Sequence, residues 1–556
     1  MKQWIRYFTF VVIGCGIGTG TAYAQGRINV QNGNINHYYI DIQIPSHGYP
    51  LKLERSFNSK STFNGMFGHK WGSNFETTFT VTPEGLVEIS EFGDGFKTTF
   101  APKTYSQKEL DAFMQSLLNK LPPASRTAKI KESLLTDALF RRKLAKEHNL
   151  TVDIPLQTAL YANDRGPETL LKTTKSGDSS FIWIRSFAGD KQEVFNHKGQ
   201  LIRRQDPNGN FLNLSYDTQG RLFKVVDRFG RQMTFSYHPN KKVAAVTSPA
   251  GKTCVYKYDL KGNLLYAKND RGYDFTYKSD DLHHMREVVY PTGQKEIMKY
   301  DLEDRITHHE GPDDTQTTYQ YDTQGDPFKY FNVIVTKERG KKPNQSVTVD
   351  KYEYEFGRRD NGSRYAYKLA TVLDGIRTET LYTPCCGKPI SINRQGKITR
   401  FEYAADGSLT KKIFPDGQRV ELSYDKNFKK VSQVVQFDPK RKITDTTEYK
   451  YDPKGNLAFA RNKNQKISVQ LFYDRKGRIE KLVDQKGQKI TFEYNTLGKP
   501  TKITLQGVGS ILVSYNAGGE ITNVKSTGSR KIASEVTGAF QSLLDVIRPA
   551  GVSLGI

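Results

Sequence analysis

The sequence predicts a mainly β protein: a β-hairpin array forming one long curled, shell-like sheet, with an N-terminal β module and a small helical insertion. Three observations predict it. A tyrosine-marked phrase recurs from Phe195 to Tyr515, at Tyr216, Tyr237, Tyr258, Tyr277, Tyr300, Tyr321, Tyr354, Tyr382, Tyr403, Tyr424, Tyr451, Tyr473, Tyr494 and Tyr515, and most intervals are 21 residues. The composition, with 46 Gly, 31 Tyr, 31 Phe and 36% hydrophobic residues, suits short strands joined by glycine turns. Finally, roughly fourteen hairpins make about thirty strands, and twisted open sheets rarely exceed ~10 strands without curling or splitting.

The chain opens with a predicted export signal over residues 1–24. Lys2 and Arg6 give a positive start, Tyr7 to Ile13 is apolar, and Ala22-Tyr23-Ala24 is a small-x-small cleavage site. Export leaves the protein periplasmic, cell-surface or secreted. A rival reading is a lipoprotein box at Val12-Ile13-Gly14-Cys15, which would leave Cys15 acylated. No later segment has the ~18 apolar residues of a spanning helix, so no transmembrane helix is expected in the mature chain. Loss of Lys2 and Arg6, with no acid lost, takes the formal charge from +24 to +22. That excess favours an anionic glycan or envelope polymer as a partner, and also suits lysines that solvate a sheet exterior. Only Cys254, Cys385 and Cys386 follow the signal, too few for a disulfide framework. Adjacent Cys385 and Cys386 are a vicinal pair, a soft-metal pair, or thiols on opposite faces of a strand.

Residues 25–104 read as a β module in which Tyr39 to Ile44, Phe75 to Val81 and Leu86 to Ile89 alternate in part. Helical periodicity replaces alternation over 105–165. Ser106 with Glu109 is a capping box, and Leu110, Phe113, Met114, Leu117, Leu118 and Leu121 form one apolar stripe before Pro122-Pro123. A second helix is predicted over Thr127 to Glu147, burying Ile130, Leu134, Leu135, Ala138 and Leu139, and a third near Asp153. Residues 166–194 supply connecting strands, 195–515 the hairpin array, and 516–556 a tail in which Phe540 to Ile547 is an amphipathic stretch.

Within one unit, Leu222 to Asp227 is a strand, Arg228-Phe229-Gly230 a turn, and Gln232 to Tyr237 a strand placing Met233, Phe235 and Tyr237 on one face. Gly220 and Gly230 take positive-φ turn positions. The aspartate near each tyrosine, as in Asp217, Asp259, Asp301, Asp322, Asp425, Asp452 and Asp474, is placed to bond turn amides. Intervals of 33, 28 and 27 residues, between Tyr321 and Tyr382 and around Lys440, predict longer loops.

These tyrosine–aspartate units resemble YD repeats over about 320 residues. A second resemblance covers Val30 to Trp71. The phrases Pro50-Leu51-Lys52-Leu53-Glu54-Arg55-Ser56-Phe57-Asn58-Ser59 and Gly65-Met66-Phe67-Gly68-His69-Lys70-Trp71 look like the domain that opens many bacterial Rhs proteins. The resemblance implies a hollow β shell with the N-terminal module covering one end. Gly65 and Gly68 then permit tight turns, while Phe57, Phe67 and Trp71 supply apolar area. The tail departs from the Rhs pattern, in which a self-cleaving aspartate site and a variable toxin follow the shell.

No catalytic motif stands out: nucleophile elbow, Walker loop, dinucleotide fingerprint and H-E-x-x-H are all absent from the sequence. His283-His284 and His308-His309, about one repeat apart, are the best metal candidates, with exposed loop histidines the plainer account. The sequence therefore predicts a non-enzymatic protein with no cofactor, no metal and no specific nucleic-acid partner. Two functions remain: a scaffold that binds or encloses a glycan, envelope component or protein, and a component of an Rhs-type toxin system whose cargo, a protein partner, is encoded separately.

Overall fold

The computed structural model describes residues 27–527 except 47–48, 163–167, 175–179, 188–189, 323–325, 327–328, 341–342, 344, 359–363, 385–386, 497 and 516–520, together with Glu535, Gly538 and Ala539. The export signal with Cys15, the Cys385–Cys386 pair and the amphipathic stretch 540–547 lie outside the described residues.

Among the described residues, 36 strands form one antiparallel sheet from Thr78–Val81 to Ile521–Ser526, each bonded to the next in sequence. This sheet is the wall of the shell. The units zip because most hairpin strands carry a buried alternate row, as in Gln232–Tyr237, where Met233 and Phe235 are covered. At most of these tyrosines the ladder slips by one residue, as between Ser215 and Tyr216, and this bulge adds twist at the same point in most units; the pairing of Gln316–Asp322 with Tyr330–Arg339 has no such slip. The wall therefore coils. Asn208 and Asn456 exchange side-chain hydrogen bonds across 248 residues of sequence, so the later winding rests its turns on those of the earlier one.

Two features depart from the sequence expectation. The long intervals are mostly longer strands rather than longer loops: Tyr330–Arg339, Ser346–Arg358 and Arg364–Leu373 run 10, 13 and 10 residues. Each extra pair of residues adds ladder bonds, which a loop would not. The boundary at 104 is also not where the sheets divide. Arg27–Asn29, Asn34–Ile44, Leu51–Asn58 and Trp71–Ser73 form a separate four-stranded sheet, whereas Thr78–Val81, Val87–Ser90 and Lys97–Ala101 join the wall. Lys97–Ala101 pairs directly with Ala159–Ala162, so the helices are inserted between neighbouring wall strands.

Helix α1 (Gln107–Lys120) starts at the Ser106–Glu109 capping box. The single helix predicted over 127–147 is two, α2 (Ala128–Thr136) and α3 (Ala138–Glu147). Asp137 breaks it: its backbone is extended, and its carboxylate accepts the N–H groups of Leu139 and Phe140. The break changes the heading of α3, so Leu134 is buried while Leu135 and Leu139, predicted to be buried, face solvent. The helix predicted near Asp153 is absent, since residues 151–155 are irregular.

Candidate functional site: the seated module and the open wall

The repeat-defining tyrosines do more than fill the inner face. Most of these rings send the hydroxyl to the carbonyl that opens the preceding strand, 14 to 20 residues earlier. Tyr216 donates to Leu201 (2.9 Å), Tyr237 to Leu222 (2.7 Å), Tyr258 to Val243 (3.0 Å) and Tyr300 to Met285 (3.1 Å). Tyr321, Tyr424, Tyr451 and Tyr473 repeat the bond to Ile306, Leu409, Val431 and Leu457. Burial raises the hydroxyl pKa along the row, as at Tyr216, Tyr237 and Tyr473, which keeps these groups donors. Tyr277 does not belong to the row. Ser279 holds the slipped register position there, and Tyr277, two residues earlier, is fully buried.

The aspartates cap their turns as expected. Asp217 accepts from the amides of Gln219 and Arg221, and Asp301, Asp425, Asp452 and Asp474 do the same in their own turns. Asp259 accepts from the Asn263 amide. Asp322 differs: it is a ladder residue opposite Asn332. Gly220 has the positive φ its turn needs.

The four-stranded sheet sits inside the curve of the first winding and bonds to both of its rims. Lys60 reaches the Glu303 carbonyl on one rim, and Arg231 donates to the Pro45 carbonyl on the other. At its centre is a contact the sequence reading missed. Arg55 is fully buried, forks onto the buried Asp41 carboxylate, and lies against the rings of Tyr39, Phe67, Trp71 and Tyr256 at 4.9–5.6 Å. The wall closes this pair: Tyr256 donates to Asp41 Oδ2 at 2.6 Å, and the Asp270 amide donates to the Asp41 carbonyl. A bulge between Ile40 and Ile42 aims Asp41 inward. The signal was present in the alternation itself, since Arg55 shares its parity with Leu51, Leu53 and Phe57, all buried.

The rest of the N-terminal motif builds this seat. Ser59 accepts from the Ile35 amide and Asn58 from the Lys60 amide. Gly68 has positive φ, whereas Gly65 is required by close approach, since a Cβ there would overlap the Phe63 ring. Phe67 meets Tyr256 at 4.9 Å and Trp71 meets Tyr277 at 5.3 Å, edge to face. Glu76 accepts from the Met66 amide, and burial pushes its carboxyl up to about 7.

The histidine pairs do not converge. His283 stacks on His69 at 3.6 Å, His284 bridges Asp280 and Asp304, and His309 bonds Glu296 beside buried His37. Among the described residues, no group of three or more His, Cys, Asp or Glu is arranged to hold a metal. No helix among them is long and apolar enough to cross a membrane. Cys254 is buried, with its thiol pKa pushed up by that burial.

Two apolar cores line the wall, one around the seated sheet through Tyr354 and one over Val431 to Val513. Between them the wall is open. No residue of the five strands from Ile376–Tyr382 to Arg419–Tyr424 is buried, against one to three in each other wall strand except the two at the ends of the sheet, Thr78–Val81 and Ile521–Ser526. On the face that is buried elsewhere stand Thr380, Phe401, Lys412 and Leu422, half-covered by their own neighbours.

A family model described as Teneurin YD-shell matches residues 183–273 and 427–534, and one described as a domain of unknown function, DUF6531, matches residues 25–100. No curated protein matches the chain. Among solved structures, TcdB2-TccC3-Cdc42 is similar at 13% identity, over 88% of this chain and 30% of that one, with a TM-score of 0.43. The Photorhabdus luminescens Tc holotoxin pore is similar at 12% identity, over 90% and 35%, with a TM-score of 0.23. The chain thus spans about a third of the length of either.

Proposed function

Because this chain belongs to the Rhs/YD-repeat family, we propose that it is an exported, non-catalytic shell that holds a separately encoded protein partner against its inner wall. The open stretch between Ile376 and Tyr424 carries the proposal. Over the two apolar cores the inner face is covered by the chain's own residues, because an uncovered apolar sheet face is costly in water. A row of threonine and aromatic side chains half-exposed on a concave face is suited to a polypeptide surface, and Lys412, over Phe401 and Phe414, adds a cation for an acidic group. An anionic polymer has only the net charge in its favour, and that charge is spread along the chain.

Purification of tagged protein from its native cells, followed by limited proteolysis, tests this. The expected result is one stoichiometric co-purifying protein, cleaved slowly in the complex and rapidly once released, and lost when Phe401→Glu and Thr380→Arg are introduced together. Purification without such a protein, or with one that the double substitution leaves bound, contradicts it.

A further inference from the structure

Three consecutive turns on the rim that follows the repeat tyrosines carry leucines in solvent. Leu260 and Leu302 have relative exposures of 107% and 104%, and Leu282 of 68%. A turn tip asks for no apolar residue, and the position of Leu260 and Leu302 is filled elsewhere by Thr218, Pro239, Pro453, Arg475 and Thr496. The three tips are stapled to one another: Lys261 pairs with Asp281, His283 bonds Asn263 at 2.7 Å, and His284 bonds Asp304 at 2.8 Å. With two strands per unit the leucines stand ~10 Å apart in a row ~20 Å long. The tips are also acidic in a chain of net charge +24: residues 259–263, 280–284 and 301–305 hold six Asp and Glu against two Lys and Arg.

A complementary surface lies on the helical insertion. Leu139 is 79% and Leu135 52% exposed, on the two sides of the Asp137 break. Lys131 lies one turn before Leu135 on α2 and Lys143 one turn after Leu139 on α3, so each leucine shares its face with a lysine. Residues 126–147 hold seven Lys and Arg against three Asp and Glu. Arg141 and Arg142 are engaged with Glu84 and Glu88 and fix the helices to the wall.

We propose that the acidic leucine rim docks onto the basic leucine face of the helices of a second copy of this chain. Apolar knobs and opposite charges match between the two surfaces, and they are different surfaces. The contact is therefore head to tail and extends to chains or rings of copies rather than stopping at a symmetric pair. It is independent of what the inner wall holds. Sedimentation of the purified protein tests it, with circular dichroism confirming that each variant is folded. Wild type is expected to gain mass with concentration, and to lose that gain at high salt as the opposed charges are screened. Leu260→Ser with Leu302→Ser, and separately Leu135→Ser with Leu139→Ser, should each weaken association at least ten-fold. An equimolar mixture of the two variants, which has one intact surface of each kind, should form a one-to-one dimer and nothing larger. A wild type that stays monomeric, a variant that associates as wild type does, or a mixture that stays monomeric overturns the proposal.

Discussion

Arg55 carries a charge into the interior on the parity of three apolar neighbours, and its cost is offset by the forked bond to Asp41 and by the rings around it. Replacing it with methionine leaves the Asp41 carboxylate buried and unpaired. The expected loss for Arg55→Met is about 3–5 kcal/mol, read as a fall in the urea midpoint followed by tryptophan fluorescence, because Trp71 lies against the guanidinium. Adding Asp41→Asn removes the stranded charge, so the double variant should recover part of that loss. No recovery would mean that Arg55 acts through packing alone. The tyrosine hydroxyls contribute on a smaller scale. Tyr473→Phe keeps the ring but gives up the bond to the Leu457 carbonyl, and about 1 kcal/mol should be lost. An unchanged midpoint would leave that bond with no net worth.

At the scale of elements, the contact between windings rests on turns. A Cβ at Gly477 would overlap the Asn208 side chain of the earlier winding, whereas Gly487 has nothing within 4 Å. The two have nearly the same backbone, φ 76° and 79°, so alanine strains both turns alike. Gly477→Ala should therefore lower the thermal midpoint more than Gly487→Ala does, and equal effects would remove the packing of winding on winding. The seat of the N-terminal sheet is expected to depend on pH. Burial and the facing His283, with Lys242 nearby, hold the His69 pKa below its usual 6.5, with Asp259 acting in the opposite sense. Neutral His69 is thus favoured in the folded state: its stabilisation is present above pH 6.5 and lost as pH falls through the lowered value. Buried His37 has the same sign. Glu76 has the reverse sign, its contribution present below pH 4.5 and lost as pH rises through about 7. Comparing His69→Gln with wild type cancels the Glu76 effect. The variant should lose less stability between pH 7.5 and pH 5.5 in urea unfolding, and an equal loss would leave the stacked pair without a role.

Across the whole molecule, what was legible in the sequence was what is local. The 21-residue period, the aspartate caps and the positive-φ glycines each depend on a few adjacent residues, and the wall follows from repeating them. The tyrosine bond reaches a carbonyl 15 residues away, and the seat of Arg55 needs Tyr256 from a distant strand, so neither has a local signature. The predicted helix over 127–147 failed for the opposite reason. Its apolar period runs on through Asp137, but the carboxylate prefers to cap a new helix, and the leucines beyond the break are left in solvent. The open wall was only partly legible, since Ile376 to Tyr424 keeps the tyrosine period of its buried neighbours while Thr380 and Lys412 stand on the face that is mostly apolar elsewhere. That face is where the account is most directly tested. A photo-crosslinking residue at Phe401, on the inner side, and another at Arg400, on the outer side of the same strand, can be compared in the intact protein in its native cells. The account predicts one protein partner captured from position 401 and not from 400; capture of the same species from both positions, or from 400 alone, or from neither, contradicts a wall that holds its partner within.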